Sequence, residues 1–117
     1  MKKKILVIDD DANVRAYLVS LLEDNGYEVH TAGNSQQGFD TAARIVPDLI
    51  TLDIEMPGEW GPRFYQKLAS DDTLNHIPVI IISGLEGHQC AVKNAAATIS
   101  KPFDPDRLLN IVETTLK

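Results

Sequence analysis

Two acidic sites and one lysine stand where apolar runs end. Asp9-Asp10-Asp11 follows Ile5-Leu6-Val7-Ile8, Asp53 follows Leu49-Ile50-Thr51-Leu52, and Lys101-Pro102-Phe103 follows the weaker run Thr98–Ser100. If the first two runs are parallel strands of one sheet, their C-terminal ends lie side by side. Carboxylates far apart in sequence then share a crevice. Like charges packed together disfavour ionisation, and a divalent cation offsets this. Mg²⁺ prefers oxygen ligands in near-octahedral geometry and commonly shares one or two carboxylates with a phosphate; Mn²⁺ is a possible substitute. Asp10 and Asp53 are candidate direct ligands, the backbone carbonyl of Glu55 a third protein oxygen, and Asp9 a ligand through water. Lys101 would face a phosphoryl oxygen, and Ser83, after the run Val79–Ile82, would donate a hydrogen bond to it. Such a set would neutralise and align a phosphoryl group in transfer.

The elements that must position these residues follow from the apolar pattern. Runs recur at Ile5–Ile8, Val29–Ala32, Leu49–Leu52, Val79–Ile82 and Thr98–Ser100. Continuous rather than alternating apolarity suits strands covered on both faces. Helical periodicity lies between them. Val14, Tyr17, Leu18, Leu21 and Leu22 form one stripe, with Gly26 placed to end the helix at C′. Phe39, Ala42, Ala43 and Val46 mark a second helix, with Ser35 as N-cap and Pro47 as its stop. A third runs from about Pro62 to Ser70, and a fourth, short and poorly patterned, lies near Gly87–Lys93. Asp104-Pro105 opens the last helix, which carries Leu108, Leu109, Val112 and Leu116. Five strands alternating with five helices predict an α/β domain with a mostly parallel sheet and right-handed crossovers that put helices on both faces. Its ligand site belongs at the carboxyl ends of the strands.

The totals agree. A chain of 117 residues, 44% hydrophobic, is long enough for one core and is read as one domain spanning residues 1–117. A formal charge of −6 with no basic stripe argues against direct nucleic-acid binding. The apolar run after Met1-Lys2-Lys3-Lys4 is too short for a signal peptide or a membrane span. A single cysteine, Cys90, excludes an internal disulfide and fits a cytoplasmic location. The last helix ends with the chain, so no attached output domain is expected.

Simpler roles exist for each residue. The three N-terminal acids could be helix caps and first-turn charges. Asp11 is the best such candidate, and the company of Asp53 and Lys101 reassigns the other two to metal binding. His30, His76 and His88 share no ligand spacing and are assigned to the surface or loops. Cys90 is assigned to packing rather than redox chemistry. Phe39, Phe64 and Tyr17 are assigned to the core, Tyr65 and Trp60 to loop or face packing.

Taken in order along nearly the whole chain, these features resemble the receiver domain of two-component response regulators. The residues that carry the resemblance are the acidic pair after strand one, Asp53-Ile54-Glu55-Met56-Pro57 with Gly61, Ser83 after strand four, and Lys101-Pro102-Phe103. The resemblance implies a flavodoxin-like doubly wound (βα)5 fold with strand order 2-1-3-4-5. It also implies transfer of a phosphoryl group to Asp53 from a sensor histidine kinase or a histidine phosphotransfer protein, with Mg²⁺ as cofactor. Such a chain is not an enzyme in the usual sense, beyond Mg²⁺-dependent self-phosphorylation and slow self-dephosphorylation. Ser83 would move on phosphorylation, and the surface of the fourth helix, fifth strand and last helix would change its affinity for a downstream effector protein. A cis Lys101-Pro102 bond would aim the lysine into the crevice. No membrane partner is implied.

Two departures from the family pattern stand out. Thr98 occupies the position, three before the lysine, where an aromatic switch residue is usual. The stretch from Ser83 to Lys101 is also about one helical turn shorter than usual. Gly84 and Gly87 weaken helix formation there, so a short, mobile fourth helix starting near His88 is expected. Glu55 and Leu85 sit where the family tunes access of the hydrolytic water, and Trp60 is placed to report binding by fluorescence. These departures motivate a second hypothesis, a degenerate receiver acting mainly as a binding module with weak phospho-switching. A third, a small metal-dependent phosphohydrolase suggested by Asp9 and Asp11, lacks the usual threonine and has little room for a substrate-selecting cap.

Overall fold

The computed structural model describes residues 2–53, 61–83, 97–100 and 104–116. Five parallel strands, β1 (Lys4–Ile8), β2 (Glu28–Ala32), β3 (Leu49–Asp53), β4 (Val79–Ser83) and β5 (Ala97–Ser100), form one sheet in the order β2-β1-β3-β4-β5. Four helices are described: α1 (Ala12–Glu23), α2 (Ser35–Ile45), α3 (Gly61–Ala69) and α4 (Pro105–Leu116). The helix expected near Gly87–Lys93 lies outside the described residues.

Alternate strand residues point to opposite faces, and the sheet buries both. Leu6, Ile8, Ile50, Leu52, Val79 and Ile81 pack with Ala42 of α2 and Phe64 and Leu68 of α3. Ile5, Val7, Leu49, Ile80, Ile82 and Ile99 pack with Leu18 and Leu22 of α1 and Leu108 and Val112 of α4. This division explains the unbroken apolar runs. β2, at the sheet edge, is the exception, with Glu28 and Thr31 exposed and only Ala32 buried.

The caps show how local chemistry sets the helix ends. Asp11 caps α1, its carboxylate accepting from the Asn13 and Val14 amides at 2.8 and 3.4 Å. At the other end Leu22 O accepts from Tyr27 N at 3.2 Å and Glu23 O from Gly26 N at 3.1 Å. This bond pair is a Schellman motif, and Gly26 takes the positive φ (+92°) that it requires. Asp104 precedes α4 and accepts from Asp106 N through its carboxylate at 3.0 Å, while Pro105 occupies the first helical position.

Three expectations are corrected. The cap of α2 is Asn34, whose side chain accepts from Gln37 N at 2.8 Å; Ser35 begins the helix and is buried. Both residue types cap well, so the pair Asn34-Ser35 leaves the boundary ambiguous by one. Tyr17 is 46% exposed rather than core. It lies about 100° around α1 from Leu18, outside the sheet-facing stripe. On α2 the inward face is Ser35, Gly38 and Ala42, with Ala43 and Val46 exposed. The helix rides so close to β1 that a Cβ on Gly38 would lie 2.6 Å from Ile8 Cδ1. Small residues, not the larger apolar ones, mark this contact. Pro47 does stop α2: the residue before a proline avoids the right-handed helical region, and Val46 is left-handed at φ 45°.

Candidate functional site

Strand register gathers the site. Ile8 pairs with Leu52, so the residues that follow them, Asp9 and Asp53, leave neighbouring strands at the same edge. Asp53 pairs with Ile82, the residue before Ser83, and Ser83 pairs with Ser100, the residue before Lys101. Carboxylate oxygens of Asp9, Asp10 and Asp53 all lie within 4.8 Å of one another. Asp9 and Asp53 are buried, at 2% and 3% exposure, while Asp10 is exposed at the rim.

The loop between β1 and α1 fixes the first two acids. Asp9 N donates to Ala32 O at 3.1 Å, extending the β1–β2 ladder by one residue. Its carboxylate accepts from Asp11 N at 2.9 Å, and its carbonyl accepts from Arg15 Nη1 at 2.7 Å. Asp11, the third acid of the run, serves as the helix cap and stands outside the cluster. Arg15 went unnoticed in the sequence. A bond from a side chain to a backbone carbonyl leaves no residue-type signature at the acceptor, and only the six-residue spacing from Asp9, one turn into α1, hints at it.

Buried carboxylates need partners or a cation. Three carboxylate oxygens this close together form a hard donor set of the kind that suits a divalent cation such as Mg²⁺ or Mn²⁺. Among the described residues no other group of three or more potential ligands converges in this way. His30 lies on β2 with its ring against Glu28 at 2.7 Å, and His76 is exposed after α3. Ser83 and Thr98 hold register positions on β4 and β5, Thr98 opposite Ile81. Glu55, Lys101, Trp60, Leu85, His88 and Cys90 lie outside the described residues, as does the segment expected to be shorter than usual.

A five-stranded parallel sheet in this order, with acids crowded at the switch point between β1 and β3, is the arrangement expected of a receiver. A family model for the response regulator receiver domain matches residues 5–113, and the chain belongs to that family. Protein Rrf1 of Nitratidesulfovibrio vulgaris is 35% identical over 116 residues, covering 99% of this chain and 84% of Rrf1. The response regulator PleD of Caulobacter vibrioides is 41% identical over 109 residues, 89% of this chain but only 24% of PleD. Among solved structures, the chemotaxis response regulator CheY4 of Vibrio cholerae superposes with a TM-score of 0.92 at 26% identity, covering 99% of this chain and 100% of CheY4. Receiver domains are phospho-acceptors rather than conventional enzymes, and they act between histidine kinases or phosphotransfer proteins and downstream effectors. Among the described residues no helix is long and apolar enough to cross a membrane.

Proposed function

We propose that Asp53 is the phospho-acceptor of a Mg²⁺-dependent switch formed by residues 1–117, working in the cytoplasm. The observation that carries this is the convergence of Asp9, Asp10 and Asp53 within 4.8 Å at the end of the sheet. An Asp53 carboxylate oxygen attacks the phosphorus of a phosphohistidine on a sensor kinase or phosphotransfer protein. The P–N bond breaks, its electron pair goes to the imidazole, which takes up a proton, and an acyl phosphate remains on Asp53. Asp10, Asp53 and the Glu55 carbonyl would hold the cation directly and Asp9 through water. The cation supplies charge neutralisation on the phosphoryl oxygens.

Lys101 completes the site with a positive charge toward a phosphoryl oxygen, and Ser83 donates to another. Attack of water on phosphorus later returns the carboxylate and releases inorganic phosphate. The output is a change in effector affinity at the surface that includes β5 and α4, biased by the charge event at Asp53. Thr98, on β5, stands at the position where the family usually has an aromatic, and the degenerate-receiver alternative predicts labelling without any change in effector affinity.

Incubation with acetyl phosphate and Mg²⁺ tests the assignment. The unmodified chain should gain the mass of one phosphoryl group, and Asp53→Asn should gain none. Equal labelling of the two would remove Asp53 from the role.

A further inference from the structure

The Asp9 carbonyl belongs to the peptide unit that joins Asp9 to Asp10. That unit is planar, so whatever fixes its oxygen fixes ψ of Asp9 and φ of Asp10 together. Arg15 Nη1 holds this oxygen at 2.7 Å. Arg15 is itself anchored, its amide donating to Asp11 O at 3.0 Å as α1 begins. The same Nη1 lies beside the loop between β2 and α2, 3.3 Å from where a Cβ on Gly33 would stand. Gln37 Oε1 ties that loop in turn, accepting from Gly33 N at 3.1 Å.

We infer that Arg15 is a positioning residue for the acidic site, an inference that rests on the cation-dependent function proposed above. Three carboxylates within 4.8 Å repel one another and would splay if the backbone allowed it. The Arg15 clamp prevents this for two of them by locking one peptide plane, so the cation meets ligands already converged. Outer hydrogen bonds that orient metal ligands commonly change metal affinity by about tenfold or more when removed.

Charge and positioning make opposite predictions, and this separates them. Removing a positive charge beside an acidic site should tighten cation binding, whereas removing a clamp should weaken it. Mg²⁺ titration by calorimetry of Arg15→Met against the unmodified chain is the test. An increase in Kd of about tenfold is expected, with Arg15→Lys, which keeps the charge and a donor but not the guanidinium plane, falling between them. In the metal-free state, NMR exchange of the Asp11 amide, which donates to the Asp9 carboxylate, should be several-fold faster in Arg15→Met.

An unchanged or lower Kd in Arg15→Met, with urea unfolding confirming that the variant is folded, overturns the inference. If Arg15→Met does not fold, Arg15→Lys decides on the same two readouts. Absence of Mg²⁺ binding by the unmodified chain would sink the proposed function instead. Asp11 exchange alone then decides for or against the clamp.

Discussion

The two ends of β3 each carry an aspartate, and they do opposite things. Asp48, before the strand, has its carboxylate on Lys4 N at 2.8 Å, while its own amide donates to Lys4 O, also at 2.8 Å. This carboxylate serves to fasten the start of β1 to β3. Asp53, at the strand's other end, is 3% exposed and shares its space with two further carboxylates. Parallel topology explains the asymmetry. All five strands bring their carboxyl ends to one edge, so charged residues that follow them accumulate there, while residues at the opposite edge meet mainly the strand starts.

Exchanging the roles of these two aspartates gives the largest expected contrast. Asp48→Ala should label with acetyl phosphate as the unmodified chain does, although it loses about 1.5–3 kcal/mol of stability by urea unfolding because a charge-assisted bond to Lys4 N is removed. Asp53→Asn should lose labelling entirely. If Asp48→Ala impaired labelling while remaining folded, the division of labour between the two edges would be wrong.

Gly38 sharpens the comparison from the helix side. It sits against Ile8, the residue before Asp9, where an added Cβ would lie 2.6 Å from Cδ1 and 3.1 Å from Cγ1. Gly38→Ala should destabilise by about 1–2 kcal/mol, since overpacking a full core costs this order even when a side-chain tip can rotate. Adding Ile8→Val should recover part of the loss, and the coupling in a double-mutant cycle measures the contact. Additive losses would show that α2 is free to move off β1.

Why some of this was legible in the sequence and some was not has a physical basis. The strands were readable because a sheet buried on both faces needs unbroken apolar runs. Asp11 was readable as a cap because it directly precedes a helical stripe, and so was Gly26, because a left-handed residue favours glycine. The order of parallel strands is not encoded in such runs; it came from family resemblance. Tyr17 misled because an aromatic one position off the stripe satisfies a loose periodicity. Gly38 and Arg15 were missed for the same reason as each other: one makes its contact by lacking a side chain, the other by bonding a backbone oxygen, and neither pattern is written in residue types. The convergence of the acids was readable only once register could be assumed, since it joins residues more than forty positions apart.

The polar groups at the strand starts should leave a small pH signature that is separate from phosphoryl chemistry. His30 hydrogen-bonds to Glu28 at 2.7 Å and holds the Glu28 carboxyl below its ordinary value, with smaller help from the charges of His30, Lys4 and Lys2. A carboxyl depressed in the folded state contributes stability above its unfolded pKa of about 4.3 and loses it as pH falls through the lower folded value. Tyr27 is shifted the other way. Burial, and secondly the charge of Glu113, raises its hydroxyl above the usual value near 10. Its contribution is therefore present below about pH 10 and fades as pH rises through the folded value. Through these two groups, urea midpoints should fall as pH drops below about 4.3 and as it rises above about 10. His30→Ala should narrow its gap to the unmodified chain as pH drops from about 5 to 2. Glu113→Gln should reduce the alkaline loss only in part, because burial, the larger cause, remains. The Glu28 effect is small, since Glu28 is exposed and solvent screens its pairing. A Mg²⁺ affinity that followed either substitution would mean that the strand starts do reach the acidic edge.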